Sequence, residues 1–381
     1  MKKTESALED IKLFIKDILS FSPVNAWLTL ILMILAGVTS GIGTAVLIPL
    51  LQAVGFGEVA GTGDYASKIV IEFLGLLNLS PSLASVLTIF FIIFLGVTLL
   101  QYKQIKVSSA LSHNYSAYIR ERLYTRIFNA QWLFFVNKKM AHSANILTVE
   151  AQRVRIAFDS LVRIMSELFM TAAYIILAFL ISWQTAAVVV SAGAVISWLM
   201  RKIIHSGEGI GKKITEANND LQSAVMEHLG SAKIIKSHSA EKQSSILFHK
   251  LVFRVSDLYI RYLKNQAAIK AVFEPVTIGM LCIGLYVALT FFKINTAFLL
   301  VLLFIFYRLS PKITMIQQNY HQLLAMIPAY KAVISLEEET MAIPEYLHGR
   351  TKISSFKKGI KLEKVAFAYQ AEGVDIIKDI Q

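Results

Sequence analysis

Leu168–Met200, LFMTAAYIILAFLISWQTAAVVVSAGAVISWLM, contains no Asp, Glu, Lys or Arg. A helix rises about 1.5 Å per residue, so about 20 apolar residues cross the hydrocarbon core of a bilayer. At about 33 residues the stretch is too long for one crossing and is interrupted near its middle by Ser182, Trp183 and Gln184. It reads as two spans joined by a tight turn.

Working outward, four further stretches lack charge: Ile18–Gly57, Phe73–Tyr102, Pro275–Phe292 and Ile294–Tyr307. The expected total is six spans. The last stretch is short by itself, so its span is expected to continue through Arg308 and Pro311 with one face on a watery lumen. Composition agrees: of 381 residues 55% are hydrophobic and 17% charged, with a mean hydropathy of +0.56. A soluble domain carries roughly 25% charged residues. The expected class is an all-α polytopic membrane protein. Cys282 is the one cysteine, which excludes an intrachain disulfide and zinc sites built on several thiolates. No other His, Cys and carboxylate grouping has metal spacing, and no nucleophile arrangement of Ser, His and Asp stands out.

The net charge of +12 would suit nucleic acid, but its location argues otherwise. Lys103–Glu167 holds ten basic and four acidic residues, and Arg201–Glu274 twelve and seven. Lys and Arg favour the cytoplasmic side of a membrane, so these loops are expected inside, and six spans then place both termini there. Topology accounts for the charge, and nucleic acid is not an expected partner.

Ahead of the first span, Leu8, Ile11, Phe14, Ile15, Ile18 and Leu19 recur at helical spacing with charge on the other faces. Residues 1–22 are expected to form an amphipathic helix in the inner headgroup region, the alternative being a helix packed on the cytoplasmic loops. No secretory signal is read there, because the first residues mix charges and lack a continuous apolar core. Both inner loops show helical periodicity on either side of a polar break, at Asn137–Lys139 and at Lys236–Lys242. Each reads as a hairpin of two long helices carrying a tip deep into the cytoplasm.

The second tip, Met226–Lys242, MEHLGSAKIIKSHSAEK, closely resembles the second intracellular loop of ABC exporters through Glu227, Gly230, Ile234, Ile235, Lys236 and Glu241. Ile119–Phe135, IRERLYTRIFNAQWLFF, is similar to the helix leading into the first coupling helix of that family. The resemblance covers nearly the whole chain. It implies the ABC type 1 exporter fold over 23–330, a linker over 331–358, and over 359–381 the first strands of a truncated nucleotide-binding domain. In that last part, GIKLEKVAFAYQAEGVDIIKDIQ alternates at Ile360, Leu362, Val365 and Phe367, turns at Glu372 and Gly373, and resumes at Ile376. Tyr369 matches the aromatic residue that stacks on adenine in such domains.

No GxxxxGK[ST] phosphate loop occurs, so this chain alone is not expected to bind or hydrolyse ATP. The resemblance implies ATP and Mg²⁺ in a full-length transporter, a second half-transporter of the same or related sequence, and membrane lipids as surroundings. Its implied location is a bacterial inner membrane. Coupling is implied for Asn137, Lys138, Lys139 and His142 at one tip, and for Glu227, Gly230, Lys236, Ser237, His238 and Glu241 at the other.

Within the last span, Arg308 is an ionisable group at membrane depth, which suggests a substrate or partner, with snorkelling as the alternative. Tyr307, Gln317 and His321 are expected to line an inward-open cavity, or else a solvated face. Gly37 and Gly41 suggest close helix packing. The expected function is ATP-driven export of an amphipathic, lipid-like or other small substrate by alternating access. The rival readings are an ATP-independent carrier or channel and a non-transporting membrane fragment.

Overall fold

A computed structural model describes residues 2–45, 83–138, 140–181, 201–290 and 296–345, the strand residues 365–367 and 377–380, and positions 183, 186, 187 and 191. The tight turn expected around Ser182 and Gln184 lies outside the described residues, as does most of the run from there to Met200.

The chain is almost entirely helical where described. Helix α1 spans Lys2–Phe21, α2 Pro23–Ala45 and α3 Leu83–Phe128. Two short helices follow, α4 over Trp132–Asn137 and α5 over Met140–Asn145. A π-helical turn, Ile146–Glu150, leads into α6, Ala151–Ile181. Then come α7 over Arg201–Gly230, the short α8 over Ala232–Ser237, α9 over Glu241–Thr290 and α10 over Thr296–Ala342. An antiparallel strand pair, β1 Val365–Phe367 and β2 Ile377–Ile380, pairs Val365 with Ile380 and Phe367 with Ile377.

Among the described residues three helical stretches are long and apolar enough to cross a membrane: Pro23–Gly41, Leu87–Phe128 and Met140–Leu180. Helix α3 has 46 residues and α9 has 50. At about 1.5 Å per residue each is roughly twice as long as a bilayer core is thick, so each must project well beyond it. Helix α10 runs unbroken through Arg308, and Pro311 and Pro328 both lie inside it. Each proline deletes one backbone donor, a loss that neighbouring helices offset in such bundles.

Packing separates into two regions. The larger core joins α1, α3, α6, α7 and α10 through Phe14, Tyr115, Leu123, Phe158, Ile214 and Leu323. Burying such side chains is worth roughly 1.5–3 kcal/mol apiece, and water outside the bilayer supplies that drive. A smaller core gathers Tyr174, Ala178, Ala186, Ile305 and Leu309. Lipid offers no hydrophobic drive, so helices there associate by close backbone approach. Gly37 and Gly41 provide it: a Cβ on Gly37 would sit 2.9 Å from the Phe169 carbonyl carbon, and one on Gly41 3.2 Å from the Ala173 Cβ. The α2–α6 contact thus depends on residues without side chains.

One expectation is corrected, and α1 packs part of its apolar face on protein: Phe14 is fully buried, with its ring 4.9 Å from that of Tyr330 and 6.0 Å from that of Tyr115, while Leu19 is exposed. Asp17 fixes the helix by accepting from the Tyr115 hydroxyl at 2.7 Å and from Arg122 at 3.2 Å. The linker expected to begin at 331 begins instead as the last turns of α10, because Val333 and Leu336 are buried and Glu337 pairs with Arg122 and Arg126. Acidic composition concealed a packed helix.

Candidate functional site

Arg308 lies in α10 directly after the charge-free run Ile294–Tyr307, an apolar setting in which a guanidinium without partners would be costly. It is instead held by three helices. Its Nη1 donates to the Tyr174 hydroxyl of α6 at 3.3 Å, and its guanidinium lies 5.2 Å from the Phe94 ring centre on α3 and 5.1 Å from that of Phe304. Tyr174 in turn shares a 2.8 Å hydrogen bond with Ser40 of α2. Ser40, Tyr174 and Arg308 therefore form a polar chain across α2, α6 and α10, with cation–π contacts that strengthen in a dry surrounding.

The structure does not bring the other expected pathway residues to this point. Tyr307 is 71% exposed. His321, farther along α10, is fully buried and stacked on Tyr262 of α9, with ring centres 5.3 Å apart. Neither of its ring nitrogens has a hydrogen-bond partner among the described residues. Burial favours the uncharged ring and pulls the His321 pKa down to about 4. Gln317 lies one turn before it on α10, half-buried.

At the first tip, α4 presents Trp132, 66% exposed, while Phe134 is buried beneath it. The tip is tied to the end of α10. The Gln131 N–H donates to the Ile343 carbonyl at 3.0 Å, and the Glu345 N–H donates to the Asn129 carbonyl at 2.9 Å. Lys138 pairs with Glu339 at 2.6 Å. His142 is half-buried on α5. Lys139 lies outside the described residues, as does Tyr369, and of Asn137 only the helical backbone is described. Asn145 joins this tip to the second hairpin by donating to Asn219 of α7 at 2.6 Å.

The second tip is the short helix α8, in which no residue is buried. Leu229 and Ile234 stand 72% and 62% exposed on either side of Gly230. The turn after α8 is closed locally: Ser237 donates to the Ile234 carbonyl at 2.9 Å, and His238 meets the same oxygen at 3.0 Å. Lys236 pairs with Glu241 at 3.0 Å. Backbone N–H bonding at the start of α9, then Lys236, lowers the Glu241 pKa. Glu227 lies one turn before Gly230 in α7.

Sequence reasoning missed one further arrangement. Arg153 of α6 reaches between two helices, donating to the Gly211 carbonyl of α7 at 3.1 Å and the Ala325 carbonyl of α10 at 3.0 Å. Glu150 balances its charge at 2.8 Å. A Cβ on Gly211 would come within 2.0 Å of the Ala325 oxygen, so only glycine permits this approach. No local pattern announces it, since the partners lie 58 and 172 positions away in sequence.

Comparison with known proteins agrees with this architecture. The chain is 20% identical over 264 residues to the heterocyst differentiation ATP-binding protein HepA of Nostoc sp. (strain PCC 7120 / SAG 25.82 / UTEX 2576). That alignment covers 67% of this chain and 43% of the relative, so the chain spans less than half of that protein's length. Residues 26–310 match the family described as the ABC transporter transmembrane region. With apolar spans continuing into long polar-ended helices and short helices at both hairpin tips, the chain is an integral membrane protein that belongs to the ABC transporter transmembrane family.

Proposed function

We propose that the chain is the membrane subunit of an ATP-driven exporter that moves an amphipathic, lipid-like or other small substrate by alternating access. It crosses the membrane six times with both termini in the cytoplasm of a bacterial inner membrane. It pairs with a second half-transporter, identical or related, and takes its motion from a nucleotide-binding domain. ATP and Mg²⁺ act in that domain, whose first strands correspond to β1 and β2, with Tyr369 placed to stack on adenine.

The observation that carries this reading is the pair of tips. Helices α4 and α8 each expose large apolar residues, Trp132 and Val136 on one and Ile234 beside Leu229 on the other. Apolar residues at the far ends of charged hairpins imply a protein surface that covers them. Movement of that surface passes along α3, α6, α7 and α9 to the membrane. At the first tip it also meets the end of α10 through Gln131 and Lys138. Lys139, His142, Ser237 and His238 form the polar surround of the two contacts, and Arg308, Tyr307, Gln317 and His321 follow the helix that moves.

The test is to read the gene past codon 381, express the whole product, and measure ATP hydrolysis and ATP-dependent lipid-analogue uptake in proteoliposomes. Hydrolysis and uptake are expected, with Ile234→Asp separating them by leaving hydrolysis and abolishing uptake. Uptake that proceeds without ATP overturns the reading.

A further inference from the structure

A polar cavity of about 320 Å³ lies between α3, α6 and α10. Its depth is fixed by its walls. Gln101 precedes Lys103, the first charge after the apolar run of α3, and Glu167 is the last charge before Leu168–Met200. The cavity therefore sits at headgroup level on the side of the long hairpins.

Two side chains in it lack protein partners. Gln104 is only 5% exposed, lines the cavity, and makes no hydrogen bond among the described residues. Its amide faces the cavity, where water or a ligand supplies its partners. Arg163 lines the same cavity without an ion pair among the described residues, whereas Arg155 is paired with Asp159, and Lys312 with Glu167 at 2.9 Å. Both acids are matched, so the lining keeps one uncompensated positive charge. Ser108 and Ser112 add hydroxyls one and two turns along α3 from Gln104.

An apolar groove of about 410 Å³ adjoins it along α6. Met170 lines the polar cavity and Phe169 the groove, which continues past Ala172 and Ile176 with Ile34 and Val38 of α2 on its other side. An acceptor-hungry cationic cavity at headgroup depth thus opens beside an apolar channel directed into the membrane.

We propose that these two cavities together bind one anionic phospholipid. Its phosphate is held by Arg163 and the Gln104 amide, and an acyl chain lies between α2 and α6. A guanidinium and an amide both donate to phosphate oxygens, and a single uncompensated cation suits a headgroup of net charge −1. A zwitterionic choline lipid would bring a second cation to the same walls. A free phosphate ion would leave the groove unused. The site rests on the reading of α3 and α6 as membrane spans. It gives the proposed lipid-like cargo a waiting place on one subunit.

The experiment titrates the delipidated chain with phosphatidylglycerol and with phosphatidylcholine, reading bound lipid by native mass spectrometry. Inorganic phosphate and glycerol 3-phosphate serve as competitors. The expected result is at least tenfold preference for phosphatidylglycerol, lost in Arg163→Ala and in Gln104→Leu. Ala172→Trp, which fills the exposed groove, is expected to weaken both lipids. Equal binding of the two lipids, unchanged in Arg163→Ala, overturns the proposal. Competition by glycerol 3-phosphate at lipid-like concentration overturns the acyl half of it and identifies a soluble ligand. Arg163 and Ala172 are both exposed, so their variants should fold, and an unchanged melting temperature verifies this. Selective lipid binding by a protein that fails to transport would sink the proposed function and leave this site standing; transport without selective binding would do the reverse.

Discussion

The Arg308 guanidinium of α10 and the Tyr174 hydroxyl of α6, 134 positions apart in sequence, meet at 3.3 Å. Tyr174 is fully buried and also shares a hydrogen bond with Ser40. Removing the hydroxyl takes one buried partner from each neighbour. Tyr174→Phe is expected to lower stability by about 1–3 kcal/mol, the cost of losing buried polar interactions, as read from thermal unfolding in detergent. Ser40→Ala should cost less, since Arg308 then keeps its acceptor. Equal effects of the two variants would show that the chain does not run through Tyr174.

Gly211 and Gly230 should answer oppositely to the same substitution. A Cβ at Gly211 meets the Ala325 carbonyl oxygen, whereas at Gly230 nothing lies within 4 Å. Gly211→Ala is expected to destabilise by about 1–3 kcal/mol or more, pushing α7 from α10 and loosening the Arg153 bonds. Gly230→Ala, at the end of α7, should be neutral or stabilise by up to about 1 kcal/mol through helix propensity. Melting temperatures of the two variants in the same detergent decide the matter.

Acid should weaken the cytoplasmic bundle through His321. This residue lies ten positions past Pro311, outside the charge-free run Ile294–Tyr307. Its folded pKa is about 4, below the usual value near 6.5, so the unfolded chain binds a proton that the folded chain refuses. Stability is expected to be full above pH 7 and to fall as the pH drops from about 6.5 to about 4, by roughly 2–3 kcal/mol. His321→Gln should flatten that part of the curve. A melting temperature with the same pH slope in both proteins would refute the assignment.

Asp17 anchors α1, accepting from Tyr115 and Arg122, while Arg122 also pairs with Glu337. Asp17→Ala leaves the Tyr115 hydroxyl and part of Arg122 without an acceptor. We expect α1 to exchange its amide hydrogens at least tenfold faster while α6 and α10 keep their protection. Uniform acceleration over all three helices would mean that Asp17 supports the whole bundle and not one contact.

Much of the fold was legible because lipid and water impose opposite patterns over long stretches. Three of the charge-free runs fall in helical stretches long and apolar enough to cross a membrane, and the periodic polar loops marked the hairpins that became α3 to α6 and α7 to α9. What the sequence concealed was which surface covers which face. The stripe Ile11, Phe14 and Ile18 shows that α1 buries one side, but headgroups and a protein groove call for the same stripe. Glu337, Glu338 and Glu339 look like a linker until Val333 and Leu336 find a core. The candidate sites were less legible still. Arg308 stood out as a charge at depth, yet its partners Tyr174 and Phe94 are ordinary aromatic residues of apolar runs. Gln104, Ser108 and Ser112 at four-residue spacing, opposite Arg155, Asp159 and Arg163 at the same spacing, were the readable signal for the polar cavity.

The π-helical turn at Ile146–Glu150 carries one residue more per turn than its neighbours. That extra residue acts as a phase adjuster. It sets the register between the buried Ala141 and Asn145 of α5, one turn apart, and the buried Arg153 and Phe158 of α6, which an uninterrupted α-helix would offset by about 100°. Substitution of the exposed Thr148 should be absorbed, whereas deleting that residue would restore regular winding and rotate the first tip about the axis of α6. Asn145 would leave Asn219, and Trp132 would present its ring in a new direction. The heading of that tip is thus set by the number of residues in one turn more than by their identity.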